Sequence, residues 1–80
     1  MSLTPVQKDV LVHLLEEGDD IPANIAEGTG RHSKSVSRCI TGMGEESLVG
    51  LGFVSDKGRG VYTLTEDGRE RAESLVGRRG

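Results

Sequence analysis

Apolar residues recur at helical intervals at the start of the chain, where Leu3, Val6, Val10, Leu11 and Leu14 share one face. Thr4-Pro5-Val6-Gln7 is a strong helix start, with a threonine cap, proline at the first helical position and glutamine three residues after the cap. This helix is expected to reach Glu17 and to stop at Gly18. Val12 lies off the stripe, next to His13 on its border; it reads as an ordinary exposed valine, with a dimer contact as the other reading. Pro22 opens a short second helix with Ile25 and Ala26 as its apolar side, and Gly28-Thr29-Gly30 is expected to break it.

Residues 31–43, RHSKSVSRCITGM, follow directly and carry two contrasting faces. Val36, Ile40 and Met43 fall on one side with Cys39 beside them, while Lys34, Arg38 and Thr41 fall opposite. The pattern holds this helix to Met43. Beyond it Leu48 and Leu51 continue the apolar spacing, but glycines at 42, 44 and 50 each cost about 1 kcal/mol relative to alanine inside a helix. Two outcomes stay open: one long, imperfect helix to about Val49, or a break near Gly44 and a short helical turn from Glu45.

The period then changes. Phe53-Val54-Ser55 and Val61-Tyr62-Thr63-Leu64 favour strands and flank the five-residue connection Asp56-Lys57-Gly58-Arg59-Gly60, which reads as a hairpin with Tyr62 and Leu64 inward. Thr65 caps a last helix, with Glu66 and Asp67 in its first turn and Gly68, Ala72, Leu75 and Val76 along one side. The order gives an α+β winged helix-turn-helix: a three-helix core, a two-stranded β-hairpin wing and a C-terminal helix. No repeat, linker or low-complexity segment divides residues 1–80, so a single domain is expected, with 77–80 as a frayed tail.

Composition narrows this further. With 80 residues, 34% of them hydrophobic, one Phe, one Tyr and no Trp, the core must be small and built from Val, Leu and Ile. Stability then leans on helix packing or self-association, and a homodimer is the default expectation. A single cysteine cannot close an intramolecular disulfide, no apolar run approaches the roughly 20 residues of a membrane span, and the N-terminus has no signal pattern. A soluble, cytoplasmic protein without membrane association is expected.

Charge is unevenly placed. The net charge is -3, yet residues 28–44 contain no acid and carry Arg31, Lys34 and Arg38. Residues 1–27 hold six acids against Lys8 alone. A basic helix in an acidic chain is a place for an anion, and its placement after a compact glycine turn favours nucleic acid over a merely solvated face. Cys39, beside Ile40, reads as a small buried hydrophobe rather than a redox or metal group. His13 and His32 lie far apart and no zinc spacing appears. His32 can cap the basic helix, touch a phosphate or gain charge as pH falls through about 6.5, with capping or solvation favoured over a pH switch. No Gly-x-Ser-x-Gly, phosphate-binding loop or carboxylate pair in a plausible cleft marks an enzyme, and no cofactor, metal or small-molecule ligand is implied.

Several segments resemble a known family. Ser35-Val36-Ser37-Arg38 resembles the recognition-helix start of archaeal winged-helix transcriptional regulators, Gly52-Phe53-Val54 their step out of that helix, and Gly58-Arg59-Gly60-Val61-Tyr62-Thr63-Leu64-Thr65-Glu66-Asp67-Gly68 their wing and the start of the last helix. The small haloarchaeal regulators similar to the phage phi-H repressor are the nearest group, although about five extra residues lie within 44–51. The resemblance implies sequence-specific binding to double-stranded DNA, often as a dimer on a two-fold related operator, with repression as the outcome. In that reading the second helix of the motif enters the major groove. Arg31, His32, Ser33, Lys34, Ser37, Arg38 and Thr41 are then the recognition-helix candidates, and Lys57 and Arg59 the wing candidates. Arg38 can fork onto a guanine, while the serines and Thr41 can donate or accept. The rival class is a winged-helix module that binds protein and never touches DNA; RNA binding is disfavoured because the chain lacks aromatic platforms.

Overall fold

The computed structural model describes residues 3–42 and 47–77. Its elements run α1 (Pro5–Glu17), α2 (Pro22–Thr29), α3 (Ser33–Thr41), β1 (Val54–Gly58), β2 (Val61–Leu64) and α4 (Glu66–Leu75). The α+β winged helix-turn-helix expected from the sequence is the fold observed.

The first helix begins as its sequence dictates. The Gln7 N–H donates to Thr4 Oγ1 at 3.2 Å and the Thr4 N–H donates to Gln7 Oε1 at 2.7 Å, a closed capping box that leaves Gln7 buried. Val10, Leu11, Ile25, Val36, Ile40 and Leu48 are fully buried, so one core joins the three helices to the segment that follows them. Val6 is only half-buried, and Val12 likewise.

Four boundaries differ from the sequence reading. Gly28 and Thr29 remain helical, because the chain leaves α2 only at Gly30, where φ of 70° gives the left-handed cap that favours glycine. The basic helix starts at Ser33 rather than Arg31 and ends at Thr41; Gly42 turns extended at ψ 163°, and Met43 lies outside the described residues. Of the two outcomes for 44–51, a break followed by a turn is the one seen: the Leu51 N–H donates to the Ser47 carbonyl at 2.8 Å, one turn of helix, while the proposed start at Glu45 lies outside the described residues. The hairpin connection is two residues, not five. β1 runs on to Gly58, which pairs with Val61, so Arg59-Gly60 alone form the tip. Both have positive φ, 58° and 75°, the sign pattern of a type I′ turn whose twist matches the strands.

The sheet gains an unforeseen third partner. Asp20 and Tyr62 exchange backbone hydrogen bonds of 3.1 and 2.8 Å, docking the segment before α2 on the outer side of β2. Tyr62 is buried and Leu64 packs on the core, as the alternation predicts. Thr65 caps α4 through the Gly68 N–H at 3.0 Å, and its own N–H and hydroxyl bond the Phe53 and Gly52 carbonyls. Gly68 rests on the Phe53 backbone; a Cβ there would overlap the Phe53 carbonyl oxygen. Of the expected tail at 77–80, Gly77 is described and its N–H donates to the Ser74 carbonyl at 3.3 Å, while 78–80 lie outside the described residues.

Candidate nucleic-acid interface

Helix α3 is short, so its sides are sharply divided. Val36 and Ile40 are buried, and the opposite side presents Ser33, Lys34, Ser37, Arg38 and Thr41, which together line one open, shallow depression. Each of these five was nominated from sequence. No carboxylate lines the depression, and among the described residues neither Lys34 nor Arg38 has an ion-pair partner. The Thr41 hydroxyl donates to the Ser37 carbonyl at 3.1 Å, so towards solvent it offers an acceptor.

The start of the helix adds to this field. His32 occupies the cap position, but its exposed side chain makes no capping bond, so of the two expected roles, cap or solvated residue, the structure shows the second. The first turn also lacks acidic residues, leaving the positive end of the helix dipole uncompensated by carboxylates in its first turn. Arg31 sits just outside, half-buried, and its Nε donates to Asp9 Oδ2 at 2.7 Å, which ties α1 to the turn before α3. That bond uses one of the five guanidinium donors. Cys39 is half-buried against the core, and burial pushes its thiol up to about 11 against the opposing pull of Arg31. It is therefore protonated and unreactive near neutral pH, as its reading as a small hydrophobe requires.

At the wing, Arg59 is exposed at the hairpin tip. Lys57 is held differently: its Nζ donates to Asp19 Oδ2 at 2.7 Å. The Lys57 bond, with the Thr63 hydroxyl contributing, keeps the Asp19 carboxyl below its ordinary range. Next to it, burial pushes the Asp20 carboxyl up, but bonds from His13, the Ile21 N–H and Asn24 outweigh burial and hold it below the ordinary value. His13 Nε2 lies 3.0 Å from Asp20 Oδ2, joining α1 to the strand-like segment that pairs with β2.

Sequence reasoning did not find the partners of two candidate cations. Asp9 is 22 positions from Arg31 and Asp19 is 38 from Lys57, separations at which neither helical spacing nor strand alternation carries a signal.

A compact helix-turn-helix, a closing helix and a two-stranded wing define a winged-helix protein. Within that class the chain belongs to the EarA-like family, whose model matches residues 1–75. Among solved structures, the transcriptional regulator Tm0710 from Thermotoga maritima superposes with a TM-score of 0.74 at 23% identity, over 95% of this chain and 53% of that one. This chain therefore spans about half the length of that regulator, and the likeness speaks to the fold. No curated protein matches the chain. No helix among the described residues is long and apolar enough to cross a membrane.

Proposed function

We propose that this protein is a sequence-specific, double-stranded DNA-binding transcriptional regulator of the cytoplasm, with no catalytic activity, that represses by occupying promoter DNA as a homodimer. The observation that carries this reading is the acid-free depression on α3, where Ser33, Lys34, Ser37, Arg38 and Thr41 converge. In it α3 lies in the major groove, Arg38 and Lys34 reach base edges or phosphates, and the hydroxyls read donors and acceptors. His32 and Arg31 meet the backbone beside the helix start, and Arg59 and Lys57 reach the flanking phosphates or minor groove. The likeness of 35–38 and 58–68 to archaeal regulators supports the same reading, and so does the description of Tm0710 as a transcriptional regulator.

Selection from a pool of random duplexes tests it, with the double variant Lys34→Ala, Arg38→Ala run beside the wild type at several salt concentrations. The expected result is enrichment of a shared motif, two-fold symmetric if a dimer binds, that the double variant loses. Wild-type affinity should fall with salt at a log–log slope of about 0.9 per phosphate neutralised. A protein that enriches no motif and binds no duplex in a salt-dependent way would sink the reading and move the search to protein partners.

A further inference from the structure

The two wing cations are not equivalent. Among the described residues Arg59 has no carboxylate partner, whereas Lys57 is already engaged by Asp19. Asp19 comes from the junction of α1 and α2, far from the wing in sequence, and its carboxylate reaches β1 of the hairpin through Lys57. Thr63 of β2 and Arg69 of α4 also favour its charged form.

Resting on the DNA-binding reading above, we propose that Asp19 is an affinity-setting residue of the interface: Lys57 exchanges the Asp19 carboxylate for a DNA phosphate oxygen when the wing meets the duplex. The exchange is feasible because both side chains are substantially exposed, 54% for Lys57 and 39% for Asp19, and exposed pairs hold weakly. Asp19 is not stranded when Lys57 leaves, since its side chain is 39% exposed and water can solvate the freed carboxylate. Until the exchange happens, Asp19 cancels the Lys57 charge that would draw the wing to DNA. Arg59 therefore acts on first encounter, and Lys57 acts only after its carboxylate partner is displaced. No covalent step is involved; one anion replaces another at the same ammonium.

The test is a four-protein cycle of wild type, Asp19→Asn, Lys57→Ala and the double variant, titrated against a fluorescein-labelled mixed-sequence duplex over a range of salt. Asparagine keeps the shape of the side chain while removing its charge, and a thermal melt of each variant confirms that it folds. Asp19→Asn is expected to bind roughly two- to fivefold tighter at low salt, the scale of an exposed pair. Its log–log salt slope should stay close to that of the wild type, because Lys57 reaches a phosphate in both complexes, whereas Lys57→Ala should lower the slope by about 0.9. In the Lys57→Ala background Asp19→Asn should no longer tighten binding by this amount. The proposal is overturned if Asp19→Asn fails to tighten binding, if the full tightening persists without Lys57, or if Asp19→Asn steepens the slope by about 0.9, which would mean that Lys57 stays on Asp19 in the wild-type complex. Should the wild type itself show no salt-dependent binding, the DNA interface fails and this inference with it, an outcome the wild-type titration alone identifies.

Discussion

Gly68 is the residue with least freedom to change. It is buried in the first turn of α4, against the Phe53 carbonyl, and the obstacle is backbone rather than a side chain that can rotate away. Gly68→Ala should therefore destabilise the protein by about 3 kcal/mol, the upper part of the range for overpacking, read from the urea midpoint at constant slope. The spacing of Leu64-Thr65 and Gly68 is visible in the sequence, and so is the threonine cap. The reason for the glycine is not, because it depends on the Phe53 backbone, which lies 15 positions earlier and is brought alongside by the hairpin. Gln7 shows a similar limit. Its capping role follows from its position three residues after Thr4, whereas its burial does not follow from a polar side chain.

At the scale of elements, period and caps located all four helices and both strands, and they located the five side chains of the α3 depression. Helix ends were harder to read. A glycine can sit inside a helix, as Gly28 does, or end one, as Gly30 does, and only backbone geometry separates the two. The hairpin shows the same ambiguity. Of five residues compatible with a loop, Asp56, Lys57 and Gly58 are strand, and a non-glycine residue, Arg59, takes a left-handed conformation at the tip. Such a conformation costs an ordinary residue roughly 1–2 kcal/mol, against which glycine loses up to about 1 kcal/mol of unfolded-chain entropy. Arg59→Gly should accordingly hold or raise stability by up to about 1 kcal/mol in thermal melts. If the arginine serves the wing contact, the same variant weakens duplex binding and lowers the salt slope by about 0.9. Loss of stability alongside loss of binding would show instead that the arginine is a structural part of the turn.

For the whole molecule, carboxylates link distant segments: Asp9 to the turn before α3, Asp19 to the wing, and Asp20 to α1 through His13. These links were the least legible part of the sequence, where the same acids appear only as a negative first third. The Asp20 link makes stability depend on acid. Because the folded Asp20 carboxyl lies below its ordinary value of 3.8, its contribution is complete above that pH and is lost as pH falls through the lowered folded value. Thermal melts from about pH 6 to about pH 2 should show Asp20→Asn less stable than wild type at the upper end, the gap closing towards the lower. A gap that stays constant across the range would remove Asp20 as the titrating group.

The backbone bridge between Asp20 and Tyr62 has a mechanical side. A hairpin fastened only at its own base would swing like a flap, and its tip could drift while the helices stayed still. Here the outer edge of β2 is riveted to the segment that launches α2, two residues before Pro22. A push on the tip is then delivered as torque at the root of the helix-turn-helix, so wing and helices turn together as a lever on a common axle.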